Sequence, residues 1–248
     1  MTWSIIARDP ENGWLGIAVA SRFFAVGALV PHLRRDAAVA TQAFVNPLWG
    51  IEGLAALSSG LPAADALAAL VARDPGQAQR QAHMIDTQGR SARHTGEACV
   101  PWAGHLSGEN VSLAGNMLAG PQVLDATLEA WLAGATLPMP ARLLAAMQAG
   151  ESAGGDKRGR QAAGLRVHRG EDYPWIDIRA DDNAAPLDEL ERLLAVSEER
   201  YVHFAENMGT RARFEGVTDR APFDARMARL EAERAAAGWT APTHATIR

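Results

Sequence analysis

The chain has 248 residues, 48% hydrophobic and 21% charged, with 29 acidic against 24 basic side chains and a net charge of −5. That length allows a sizeable core, and so mild an acidity leaves no electrostatic footprint for nucleic acid. One cysteine, Cys99, excludes an internal disulfide and a cysteine-based zinc site, and no apolar run approaches the roughly 20 residues of a membrane span.

Residues 2–8 (TWSIIAR) and 14–21 (WLGIAVAS) read as strands joined by the turn Asp9-Pro10-Glu11-Asn12-Gly13, whose Asn-Gly pair suits a hairpin. A third strand is predicted over 37–44. Helical spacing follows over 47–59 and 62–72, with Pro62 suited to a first turn. Strands are expected at 81–87, 90–94 and 111–116, and helices at 121–133 and 139–149. A Gly-rich loop (GESAGGDKRGR) leads to an apolar segment at 161–167 and a strand at 175–180. Pro186 opens a long amphipathic helix to about 207, a charged helical stretch covers 222–237, and a polar tail ends the chain. Hairpins interleaved with paired helices predict an α+β protein, with one domain over 1–208 and a helical appendage over 209–248.

Several residues carry candidate chemistry. Thr2 follows the initiator methionine, and removal of Met1 would leave a hydroxyl nucleophile with its own base, an α-amine of pKa near 7.7–8.0. A retained Met1 would block that amine. Gln42 and Asn46, at the end of the third strand, face a pocket or serve a turn and helix cap. Asn116, between Gly115 and the following Met117-Leu118-Ala119-Gly120, is either a helix-entry residue or an oxyanion donor; loss of such a donor costs roughly 2.7–4 kcal/mol of transition-state stabilisation in hydrolases. The three cations of the loop GGDKRGRQ make an anion or carboxylate clamp, with Asp156 to hold a substrate amine or orient an arginine and site roles for Asp156, Arg158 and Gln161, or the loop is a solvated one. It holds Lys157, the sole lysine of the chain, and lacks the Walker order. His83, His94 and His105 recur every eleven residues, but with no carboxylate partner the spacing predicts no metal site. The serine-hydrolase elbow GxSxG is absent, and Cys99 reads as a buried thiol.

The opening strand pair, a Thr-headed strand, a turn and then Gly16-Ile17-Ala18-Val19-Ala20-Ser21-Arg22, is similar to that of N-terminal nucleophile (Ntn) hydrolases of the proteasome-subunit type. By that resemblance Ser21 and Arg22 lie beside Thr2, and Arg22 lowers the pKa of the amine. The stretches TWSIIARDP, GIAVASRFFAVGALVP, AVATQAFVNPLWGIEGL, DTQGRSARHTGEACVPWAGH, GNMLAGPQVLDA, GGDKRGRQAAGL and YPWIDIRADDN also resemble the DUF1028 family of the Ntn-hydrolase superfamily. The resemblance runs from residue 2 to about 183. It implies a four-layer αββα sandwich, two antiparallel sheets between helix layers, and supplies no substrate.

The resulting expectation is a cytoplasmic amidohydrolase that cleaves a linear amide or peptide bond of a small polar substrate. Thr2 is its nucleophile, and Ser21, Arg22 and Asn116 assist. Gln42, Asn46, Asp156, Arg158 and Gln161 bind the substrate, and no cofactor or metal is called for. A homo-oligomer, with a dimer favoured, is the expected assembly, with neither nucleic acid nor membrane as partner. The alternative is a non-catalytic Ntn-fold module that binds a small anionic ligand or serves assembly.

Overall fold

The computed structural model describes residues 2–246; Met1, on which the processing step falls, lies outside the described residues. Strands β1 (Thr2–Arg8) and β2 (Leu15–Ser21) form the expected hairpin. Asp9 builds its turn: the carboxylate accepts the backbone N–H groups of Glu11 and Asn12, and Gly13 takes the left-handed φ of 75° that a side chain would resist.

Beyond the hairpin come α1 (Val26–Leu29), β3 (Pro31–Leu33), β4 (Ala38–Ala43), α2 (Pro47–Ser58) and α3 (Ala63–Arg73). Next are β5 (Arg80–Ile85), β6 (Ser91–Thr95), β7 (Gly104–Gly108) and β8 (Val111–Asn116). The helices α4 (Gln122–Ala133) and α5 (Met139–Ser152), the hairpin β9 (Ala162–His168) and β10 (Ile176–Ala180), and α6 (Pro186–Ser197) follow. One sheet has the order β10-β9-β2-β1-β8-β7 and the other β3-β4-β5-β6, with every pairing antiparallel. Helices α4 and α5 pack on the larger sheet, α2 and α3 on the smaller, and β1, β2 and β8 meet β3, β4 and β5 between them. This is the α+β class that the element order predicted, in the four-layer sandwich that the family resemblance implied.

Alternation along β1 sorts its side chains between two buried faces. Trp3 turns toward the helix layer, where its indole lies near Gly150 of α5. Thr2, Ser4 and Ile6 share the opposite face, toward the second sheet. There Ile6, Ile17, Val19, Val26, Ala38 and Ile85 form an apolar core, and a second core under α2 and α3 centres on Trp49, Leu57 and Met84.

Three elements, α1, β3 and β7, are absent from the sequence reading, which assigned no element there. Each is three to five residues long, too short for a period to register. What holds α1 is a backbone contact: a Cβ on Gly27 would lie 2.9 Å from the Cα of Gly164 in β9. The single helix expected over 186–207 is two helices, α6 and α7 (Tyr201–Ala205). Ser197 Oγ donates back to the Leu194 carbonyl at 2.7 Å and Arg200 leaves the helical region at φ −150°, which ends the first helix.

Contacts divide the chain into two compact units that meet between Leu190 and Glu191. The second carries α7 and α8 (Ala221–Ala236); Val202, Ala205, Phe223 and Met227 are buried in it, and Phe204 meets Phe223 edge-on with ring centres 6.2 Å apart.

Candidate active site

Antiparallel pairing brings four strand ends of the larger sheet together. β1 starts at Thr2, beside Asn116, the last residue of β8; β2 ends at Ser21, opposite Ala162, the first residue of β9. Thr2 is 6% exposed, and its Oγ donates to Ser21 Oγ at 3.2 Å. The Thr2 carbonyl accepts from Gln42 Nε2 and from Asn116 Nδ2, both at 3.4 Å. A cavity of about 50 Å³ opens against Thr2 and Gln42, walled by Phe23, Val26, Leu29, Val30, Ala43 and Val45.

Behind Thr2 lies a polar network enclosed between the sheets. Ser4 Oγ donates to Gln42 Oε1 at 2.7 Å, and His83 Nε2 lies 2.8 Å from the same hydroxyl. Because the Ser4 proton goes to Gln42, His83 Nε2 carries hydrogen and donates. Its Nδ1, 3.0 Å from Ser112 Oγ, accepts. Complete burial holds the ring neutral and pushes its pKa down to about 3, with the charge of His105 acting in the same direction. Gln81 extends the network: its Oε1 accepts from Gln42 at 2.9 Å and from Asn116 at 3.0 Å, and its Nε2 donates to the Gly115 carbonyl at 2.8 Å and to Thr95 Oγ1 at 2.9 Å. With these partners the buried side-chain amides are satisfied in one arrangement, which fixes how the two sheets face each other.

Strained backbone surrounds the same spot. Four non-glycine residues among those described have positive φ, and three flank the site: Ala25 at 54° before Val26, Ala43 at 69° after Gln42, and Met117 at 53° after Asn116. Left-handed non-glycine residues cost of order 1–3 kcal/mol each and persist where the surroundings over-determine them, as at binding and catalytic sites.

The structure brings Thr2, Ser21, Gln42 and Asn116 into one cluster. Asp156, 5% exposed, ties its loop to the end of β2: its Oδ2 accepts from the Arg22 N–H and its Oδ1 from the Arg158 N–H, both at 2.8 Å. Arg22 Nη1 donates to the Arg158 carbonyl and Arg158 Nη2 to the Arg22 carbonyl, a reciprocal clasp across the strand end. Asn46 and Gln161 do other work. Asn46 caps α2 by accepting the Leu48 N–H at 3.1 Å and donates to Asp74, while Gln161 donates to Asp182. The three evenly spaced histidines go separate ways: His83 joins the buried network, His94 Nε2 reaches the Gln77 carbonyl, and His105 Nδ1 meets Thr95. Among the described residues no three His, Cys, Asp or Glu side chains could hold a metal ion. Cys99 is buried, which raises its thiol pKa and makes it a poor nucleophile.

Ser4, Gln81, His83 and Ser112 were missed as site residues. A signal existed: all are polar residues in strands otherwise apolar. The left-handed positions had none, since no glycine stands at Ala25, Ala43 or Met117.

A model of a protein family of unknown function matches residues 2–190, the span of the first compact unit. The chain belongs to the DUF1028 family. A Silicibacter pomeroyi protein of this family, known from a crystal structure, is 32% identical, and the match covers 88% of this chain and 99% of that one with a TM-score of 0.81. No curated protein matches the chain. No helix of the described DUF1028 chain is long and apolar enough to cross a membrane.

Chemically, this DUF1028 site offers one hydroxyl at a cavity wall with its rotamer held by a second hydroxyl, and a main-chain carbonyl pinned by two amides. It offers no neutral base within the cavity walls besides what the chain terminus would supply.

Proposed function

We propose that this DUF1028 protein is an N-terminal-nucleophile amidohydrolase of the Ntn superfamily, acting once Met1 has been removed. The observation that carries the reading is that Thr2, at the head of a central strand, lines a cavity amid left-handed backbone, with its Oγ held by Ser21. Thr2 Oγ adds to the carbonyl carbon of a linear amide and passes its proton, directly or through water, to its own α-amine. The C–N bond breaks, the amine leaves with that proton, and water hydrolyses the acyl-threonine ester. Ser21 holds the resting hydroxyl. The Asn116 amide protons are directed at Gln81 and the Thr2 carbonyl, so Asn116 positions Thr2, and backbone N–H groups are left to meet the oxyanion. The exposed Arg22, which follows the end of β2, and Arg158, in the loop before β9, receive the polar part of the substrate.

The test starts from cell-derived, folded protein. Intact mass is expected to lack Met1, and Thr2→Ala to lose any hydrolysis found by screening small amides while Thr2→Ser retains part of it. Met1 retained on all of the folded protein would overturn the proposal and leave the non-catalytic binding module.

A further inference from the structure

The cavity against Thr2 is small, and its walls bear no charged side chain. Four of its apolar residues, Phe23, Val26, Leu29 and Val30, come from α1 and its flanks, and two, Ala43 and Val45, from the end of β4 and the link to α2. The polar side chain beside Thr2 is Gln42, and its amide is engaged by Ser4, Gln81 and the Ala114 and Thr2 carbonyls. An ammonium entering here would lose its water, meet no carboxylate and lie beside the Thr2 α-amine, and a carboxylate would find no cationic side chain among the walls.

From this we infer that the cavity is the acyl subsite, and that it takes a short, uncharged, straight aliphatic group. The inference rests on the reading of Thr2 as nucleophile. Size follows from comparison: an apolar cavity of about 150 Å³ takes up a benzene ring, six carbons. At about 50 Å³ this one has room for about two carbons beyond the reacting carbonyl. Widening is resisted at both walls. Contact between Gly27 and Gly164 sets the depth of α1, and Ala25 and Ala43 are held in left-handed backbone. The small polar substrate expected from sequence therefore divides in two: a short alkyl acyl part in the cavity and a polar leaving amine outside it.

The probes are p-nitrophenyl esters of acetic, propionic, butyric, hexanoic and octanoic acids, applied to protein whose mass shows free Thr2. In each, the Thr2 Oγ–acyl bond forms and the acyl–O bond breaks. Nitrophenolate departs with that electron pair, and the Oγ proton passes to the α-amine and then to buffer. The burst of nitrophenolate is read with the mass of the acylated N-terminal peptide. Acetate and propionate are expected to acylate Thr2 fastest, with each methylene beyond the cavity slowing the burst by about tenfold or more. Val45→Ala, at a half-buried wall, and Val26→Ala, at a buried one, should each move the optimum to longer chains. Acylation of Thr2 at rates that ignore or rise with chain length would overturn the subsite and leave the nucleophile standing. An unmoved optimum in a folded Val45→Ala protein would do the same. No label on Thr2 from any ester overturns both.

Discussion

His83 makes folding stability depend on pH in a calculable way. The perturbation is acid. In the folded chain the ring stays neutral down to about pH 3, whereas unfolded it takes a proton near its ordinary value of 6.5. The unfolded state therefore binds more protons between those limits, and the stability this group contributes is complete above pH 6.5 and falls as pH drops toward 3. At 1.36 kcal/mol per pH unit, the loss at pH 5 is about 2 kcal/mol, and near pH 3 it reaches about 4 kcal/mol. The assay is urea unfolding between pH 7.5 and 4.5 on the full chain and on His83→Gln, whose amide keeps a donor toward Ser4 and does not titrate. The difference in unfolding free energy between the two should narrow by about 2 kcal/mol from pH 7 to pH 5. Histidine ring ¹⁵N spectra should show protonated Nε2 and bare Nδ1 for His83, unchanged across that range. A pH-independent difference, or a His83 ring that titrates near 6, would refute the enclosed network that keeps it neutral.

Two further perturbations address how the site is held. Gly164→Ala puts a methyl 2.6 Å from the Gly27 Cα, backbone that cannot yield as a side chain would; a loss of about 2 kcal/mol in urea unfolding is expected, with shifted methyl resonances for Val26 and Leu29, and an unchanged midpoint would refute the contact. Asp156→Asn replaces a buried carboxylate that accepts two backbone N–H groups and an arginine; charge-assisted bonds of this kind are worth roughly 1.5–3 kcal/mol each, so amide exchange at Arg22 and Arg158 should accelerate by at least tenfold, and undiminished protection would refute the clasp.

What could be read from the residues was whatever depends on near neighbours. The hairpin follows from Asp9 and Gly13, and the start of α2 from Asn46 with Pro47, where Asn46 makes the cap its sequence position suggests. Thr2 was singled out on the chemistry of a terminal hydroxyl, and its partner Ser21 by resemblance. Pairing between distant segments was not legible: nothing local to Asn116 says that it ends opposite Thr2, or that its amide turns toward Gln81. Tertiary packing also overrode local preference at Ala25, Ala43 and Met117, where alanine and methionine hold a conformation that would ordinarily announce itself as glycine. The cavity was invisible for the same reason, being the product of a four-residue helix and a strained corner.

The place of β1 in the larger sheet has a consequence for the order of events during synthesis. This strand is made before every other strand of its sheet, yet it is central, and one of its edges is completed only by β8, whose last residue is 114 positions beyond Thr2. At about 5–20 residues per second, that edge stays open for roughly 6–20 seconds of translation. During this interval the Thr2 carbonyl has not yet met the Asn116 amide. The surroundings of Thr2 are thus among the last parts of the larger sheet to be completed, since they wait for β8 and β9 to close around its two central strands.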